Sequence, residues 1–400
     1  MKSNKSCLFT INVGSSGIKF SMYKSDGVLI PSFYGAIENI GIKNTTFSFT
    51  DTLSNEKTTR PVKANDHEEA AKYLIDWLEL RDDFNSVKAI GHRIVHGMKH
   101  TAPEKINNKL LAELKQISAY DPEHLPGEII LIEVFAKRYP KLLQVACFDT
   151  AFHTTMPLIA RLLPIPAKYF TKGIQRYGFH GLSYTYLLQQ LKHIAGKETA
   201  NGKIIMAHLG NGASITAIEN GESIDTSMGF TPTAGLVMGS RTGDLDPGVA
   251  WYFMQVEKLT PKEFNHLINH ESGLLGISKT SSDMRELIKN KNSNTDAANA
   301  FDLFCYQIKK FIGAYAAALE GLDTLVFSGG IGEHSPEVRS QVCDGLEFLG
   351  IELNEIKNMN NDAVISSDTS KVTVYVIPTN EQLMIAKLVC DVLASGKKTA

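Results

Sequence analysis

The sequence predicts an α/β protein of two duplicated domains, and three observations lead there. Its 400 residues exceed what one hydrophobic core ordinarily organises. Short apolar, β-branched runs alternate with segments of helical period along the whole chain. A strand, a glycine turn and a returning strand occur twice, over residues 7–22 and 204–218. Glycine hairpins are common in any α/β protein, so the repeat by itself also permits two unrelated hairpins.

Residues 7–13 and 18–22 read as strands around the turn Gly14-Ser15-Ser16-Gly17. Asp66, with Glu69 three residues on, marks a helix start, and Leu74, Ile75, Trp77 and Leu78 then share one face. Strands at 87–90 and 144–148 each lead into a polar segment, one carrying Arg93 and the other Asp149. A strand over 204–209, the turn Gly210-Asn211-Gly212 and a strand over 214–218 repeat the opening. Phe301, Phe304, Cys305, Ile308, Phe311, Ile312, Tyr315 and Leu319 predict a long helix, followed by a strand at 324–327. Residues 371–377 alternate as a strand, a last helix opens at Glu381, and residues 290–298 read as a solvated loop.

Composition excludes several classes. A net charge of −2 gives no general attraction to nucleic acid or anionic membrane. The cysteines at 7, 147, 305, 343 and 390 form no CxxC pair, as expected of reduced thiols rather than disulfides or a zinc cluster. The first residues lack the apolar stretch of a secretory leader, and no apolar run reaches bilayer length, so a cytoplasmic location is expected.

Phosphoryl transfer needs backbone N–H groups facing oxygens, a metal, and cations for the charge that develops. Gly14–Gly17, Gly210–Gly212 and Gly329–Gly332 each follow a strand, and no GxxxxGK[ST] motif is present, which argues against a P-loop enzyme. Arg93 and Arg241 sit in glycine-flanked loops and suit bidentate carboxylate or phosphate contacts, although a lone loop arginine is usually a solvated charge. Asp149 and Glu381 follow strands that end abruptly, where ligand groups of α/β folds collect; Glu381 could equally serve its helix dipole. His180 could be a core histidine, and His96 and His100 read as structural because no carboxylate completes a zinc set.

In this order, INVGSSGIKF (11–20), AIGHRIVHG (89–97), ACFDTAFH (146–153), QRYGFHGLSY (175–184), HLGNGASI (208–215), TPTAGLVMGSRTGDLDPG (231–248), DMR (283–285), VFSGGIGE (326–333) and VIPTNEQL (376–383) resemble the acetate kinase family over essentially the whole chain. The resemblance implies the actin-like ATPase fold: two duplicated ribonuclease H-like domains, 1–149 with 382–400 and 150–381, around a nucleotide cleft. It implies a homodimer that moves the γ-phosphoryl group of ATP in line onto acetate, giving acetyl phosphate and ADP with Mg²⁺ or Mn²⁺.

By the same resemblance Asn12 and Glu381 organise the metal, and Ser16 and Lys19 belong to the first phosphate turn. Arg93 and Arg241 bind the carboxylate and the transferring group, His180 stabilises the transition state, and Asp149 is the catalytic aspartate. ATP is held by His208, Leu209, Gly210, Asn211 and Gly212, by Asp283, Met284 and Arg285, and by Gly330, Ile331, Gly332, Glu333 and His334. Val95, Phe179 and Pro232 wall the methyl pocket. A carboxylate is nucleophilic without a base, so Asp149 is expected to orient Arg93 or a metal-bound water rather than take a proton.

The chain departs from the family pattern at Gly17, Met98, His334 and Gln382, and most at Asp121-Pro122-Glu123-His124-Leu125-Pro126. Glu123 replaces a leucine of the acyl pocket, and the reading adopted puts Glu123 in water and Leu125 against the substrate. Competing readings are a propionate or other short-chain acyl kinase, a pyrophosphate-dependent kinase, and an actin-like ATPase whose output is conformational.

Overall fold

The computed structural model describes residues 6–395. Segments 1–5 and 396–400, expected in the first domain, lie outside the described residues. The chain divides into two compact units, one ending at Ala151 and resuming at Asn380, the other spanning Phe152–Thr379.

In the first unit the strands are β1 (Cys7–Gly14), β2 (Gly17–Lys24), β3 (Ile30–Glu38), β4 (Thr46–Asp51), β5 (Lys57–Pro61), β6 (Val87–Ile94), β7 (Glu104–Lys105) and β8 (Leu143–Phe148). They form one sheet in the order β5-β4-β3-β2-β1-β6-β8-β7. Gly14 pairs with Gly17, so Ser15 and Ser16 alone connect β1 to β2. Residues 7–13 of β1 are all buried, because this central strand has both faces covered. One face meets Phe9, Phe20, Phe33, Phe47 and Phe135 in a core closed by helix His67–Glu79 through Leu74, Ile75, Trp77 and Leu78. Asp66 caps that helix by accepting from the Glu69 N–H, and the Glu69 carboxylate accepts from the Asn65 N–H.

The second unit holds β9 (Ile204–Leu209), β10 (Ala213–Glu219), β11 (Glu222–Thr226), β12 (Thr324–Ser328) and β13 (Thr373–Val376), ordered β11-β10-β9-β12-β13. In both units a meander of antiparallel strands adjoins two parallel ones: β3-β2-β1-β6-β8 in the first matches β11-β10-β9-β12-β13 in the second, strand for strand and sense for sense. The two glycine hairpins are thus equivalent parts of a duplicated α/β unit. Helices Gly181–Ala200 and Thr295–Ala318 pack their apolar faces toward the second core.

Three expectations change. Arg93 does not follow its strand but lies within β6, which runs four residues past the expected end at Ile90 because it stays paired with β8 through Ile94. Residues 290–298 are not a loop throughout: Asn294 accepts from the Asp296 and Ala297 N–H groups and starts the long helix, burying Ala297. Leu125 opens helix Leu125–Arg138 and is fully buried among Ile94, Leu110, Leu114, Ile129 and Phe148.

Candidate active site

In the first unit the expected residues meet at the ends of the parallel strands. Ile11 pairs with His92 and Arg93 with Cys147, so Asn12, Arg93 and Asp149 emerge side by side from β1, β6 and β8. Arg93 Nη2 donates to Asp149 Oδ2 at 2.6 Å and Nη1 to Asn12 Oδ1 at 3.1 Å. The other end of that amide, Asn12 Nδ2, donates to Glu381 Oε2 at 2.8 Å, at the first residue of the final helix. Asp149 is fully buried and its own N–H is fixed by the Ile94 carbonyl at 2.8 Å. Burial opposes the charge on Arg93, but the Asp149 and Glu381 carboxylates outweigh it and hold the guanidinium above its ordinary pKa.

Val95 is buried just beyond the strand, and its N–H donates to both carboxyl oxygens of Glu128, at 3.1 and 3.2 Å. Lys19 lies opposite Asn12 on β2, which puts the two on one face of the hairpin, and the Ser16 carbonyl is spent on the Ile40 N–H.

In the second unit His180 caps helix Gly181–Ala200 with left-handed backbone, φ 59°. Gly178, at φ 73°, turns the chain before it, where a Cβ would fall 2.4 Å from Thr226. The His180 ring is fixed through Nδ1, 2.9 Å from Ser214 Oγ, and Tyr184 hydrogen-bonds the same hydroxyl. His208 lies 4.3 Å from it, centroid to centroid, and is itself tied to Ser183 Oγ at 2.8 Å. Fixing Nδ1 turns Nε2 the other way, toward Gly212: a Cβ there would lie 3.6 Å from His180 Nε2 and 3.9 Å from Arg241 Nη1. Arg241 Nη1 donates to the carbonyl of buried Pro232 at 3.3 Å. Gly212 therefore gathers His180, Arg241 and the turn at Gly210–Asn211 into one neighbourhood, with Leu209 buried beneath. Phe179 is buried, its carbonyl 2.9 Å from His153 Nε2.

The third glycine turn is a short helix, Gly329–His334. Gly329 adopts φ 76° against the Leu209 backbone, where a Cβ would fall 2.6 Å from the carbonyl oxygen, whereas nothing lies within 4 Å of a Cβ at Gly330. Glu333 is a staple, accepting from the Gly329 N–H at 2.9 Å and the Thr379 N–H at 3.0 Å. Gly332 and Ile331 continue the turn, and His334 is exposed. Asp283 caps helix Met284–Asn290 and pairs with exposed Arg285 at 2.6 Å, with Met284 buried.

The sequence reading missed some residues of these sets. Arg339, fully buried, donates to the Gly332 and Glu333 carbonyls and so anchors the third turn. Its only signal was a cation on a helix face shared with Val338 and Val342. Glu128 lies one position before Ile129-Ile130-Leu131-Ile132, and a charge set in so apolar a run was the available clue.

The family model described as the acetokinase family matches residues 7–387. The chain belongs to that family. An acetate kinase of Thermoanaerobacterium thermosaccharolyticum is 43% identical over 392 residues, covering 95% of this chain and 97% of the relative. A crystal structure of Porphyromonas gingivalis acetate kinase superposes with a TM-score of 0.86 at 37% identity, over 97% of this chain and 100% of that one. A propionate kinase from Francisella tularensis superposes at 0.89 with 36% identity, over 96% and 98%. The acetokinase fold therefore extends over nearly the whole chain, and both sets of side chains lie inside the matched region.

Proposed function

We propose that the chain transfers the γ-phosphoryl group of ATP to acetate, reversibly and directly, forming acetyl phosphate and ADP. The observation that carries this reading is Arg93, a guanidinium fixed by Asn12 and by a buried carboxylate at the ends of three strands in an acetokinase chain. An acetate oxygen is already a nucleophile, so catalysis reduces to holding it in line and neutralising charge on the phosphoryl oxygens. Arg93 serves the acid. His180, presenting Nε2, and Arg241 serve the transferring group. Asp149 orients Arg93: buried and already engaged with it, this carboxylate is poorly placed to take a proton.

Among the described residues no group of three or more His, Cys, Asp or Glu forms a metal cage. Mg²⁺ needs none, since it binds through one or two carboxylates, waters and substrate phosphates, and the hard oxygens of Glu381 and Asn12 fit that mode. Bound there, Mg²⁺ or Mn²⁺ neutralises charge on the nucleotide phosphates. Gly210–Gly212, with nearby His208, and the open face of Gly330 suit the nucleotide, with Asp283–Arg285 a further nucleotide contact.

A second copy of the chain is the expected partner. Leu245, Trp251, Tyr252 and Val256, on and beside helix Pro247–Gln255, are exposed apolar side chains that such a partner would cover. No helix among the described residues is long and apolar enough to cross a membrane, and the free, mostly buried cysteines suit a reducing cytoplasm. Propionate is the second reading, favoured by the Francisella structure. Trapping the acyl phosphate with hydroxylamine, across two- to four-carbon acids with ATP and Mg²⁺, tests both. Acetate should give the highest kcat/KM; propionate ahead of acetate would establish the second reading, and acid-independent ATP hydrolysis would overturn both.

A further inference from the structure

Glu128 is a carboxyl group with 1% of its surface exposed, on helix Leu125–Arg138, and both its oxygens face one backbone N–H, that of Val95. Val95 is the second residue after Arg93 and the first beyond β6, where strand pairing with β8 has ended at Ile94. Without Glu128 this amide would be a buried donor without that partner, at the place where the strand end must keep its path. We propose that Glu128 is a positioning residue for the acid substrate: by clamping the Val95 amide it fixes the end of β6, from which Arg93 and the wall at Val95 are presented. The proposal rests on the reading that Arg93 receives the substrate carboxylate.

Charge sets how the clamp can work. Arg93 already faces Asp149 at 2.6 Å and lies in the field of Glu381. A third ionised carboxylate beside it would repel an incoming acid anion. Burial first, and then the carboxylate of Asp121, push the Glu128 carboxyl well above its ordinary range, against the opposing pull of Arg93. Asp121 is itself buried and held 2.9 Å from His124 Nδ1, in the turn that precedes the helix. Asp149, beyond β8, adds to the rise, and His67 on helix His67–Glu79 lies beside the adjoining Gly127, where a Cβ would fall 3.3 Å from its ring. Helix Asn108–Ile117 buries only Leu110 and Leu114. Burial and Asp121 thus favour the protonated form, in which Glu128 accepts from Val95 while adding no charge beside Arg93.

Two variants of the full-length protein separate this from a merely structural role. Glu128→Gln keeps the shape, the acceptor and the neutrality, so its KM for acetate at neutral pH should stay within about threefold of wild type. Glu128→Ala orphans the Val95 amide, and KM should rise about tenfold or more while kcat changes by less than about threefold. Stability against pH needs no substrate. The unfolded chain ionises Glu128 near its ordinary pKa while the native state keeps the proton. The folding constant of wild type relative to Glu128→Gln should therefore fall by up to about tenfold per pH unit above pH 5. Parallel stability curves for these two proteins would overturn the neutral clamp even if Glu128→Ala does not fold. An unchanged KM in folded Glu128→Ala would overturn the positioning role. Failure of the acetate reading is distinguishable, because wild type itself would then form no acetyl phosphate at any pH.

Discussion

Arg93 Nη2 lies 2.6 Å from Asp149 Oδ2, with the Asp149 side chain fully buried and 13% of the Arg93 side chain exposed. A buried carboxylate needs that cation, and the cation keeps one side toward solvent. Removing either member alone is therefore not a neutral surgical change.

Arg93→Ala should lose both activity and stability. It strands Asp149, a change that costs about 3–5 kcal/mol in buried pairs, and it removes about 10²–10⁴-fold in kcat. A lone loop arginine would be a solvated charge that could be lost without unfolding; Arg93 instead holds a wholly buried carboxylate. Asp149→Asn should fold more stably than Arg93→Ala yet remain strongly impaired, with a pH–rate profile of normal shape. A profile that loses its acidic limb would make Asp149 a proton acceptor. Denaturant unfolding and initial rates on both proteins decide the matter.

His180 and Arg241 flank Gly212, and Arg241 Nη1 also donates to the Pro232 carbonyl. Arg241→Ala should reduce kcat by about 10²–10⁴-fold with a small change in stability. At φ 59°, a left-handed conformation that Asn and His adopt more readily than Ala, His180→Asn is the cleaner variant. It should show a similar kcat loss, read by initial rates at saturating acetate and ATP.

Leu125→Ala should cost about 2–5 kcal/mol by opening a cavity beside Ile94, Leu110 and Phe148, with KM for acetate nearly unchanged in the folded protein. Glu123, only partly buried, should tolerate alanine with kcat/KM within about threefold. A widened preference for longer acids in Leu125→Ala would restore this side chain to the acyl pocket.

His92 gives a pH dependence of known sign. Burial drives its pKa from 6.5 to about 4, only partly offset by its 2.7 Å contact with Gln144. Between those values the unfolded chain binds the proton and the native state does not. Stability should therefore rise with pH from about 4 to 6.5 and be fully present above, a gain of about 3 kcal/mol. His92→Gln should flatten that window in thermal melts. Parallel curves for wild type and His92→Gln across that window would show that His92 carries its proton in the native state.

Much of this was legible because local chemistry and tertiary context agree. The hairpin at Gly14–Gly17, the Asp66 cap and the apolar face of residues 301–319 each follow from short-range rules, and each is present. Arg93 and Asp149 could be singled out from glycine-flanked strand ends, but their pairing is a property of β6 beside β8. Glu128 and Arg339 were barely legible, because a buried ionisable side chain differs from a surface one mainly in what the fold places around it. Leu125 misled for the same reason: read as facing the substrate, it opens a helix whose first turn holds Pro126 and turns into the core.

The most direct test of the central claim is ³¹P NMR of the purified protein with ATP, Mg²⁺ and acetate. Acetyl phosphate and ADP should appear in equal amounts, with ATP consumption dependent on acetate and reversed by adding acetyl phosphate to ADP. Inorganic phosphate formed from ATP at the same rate with or without acetate, and no acyl phosphate resonance, would contradict it.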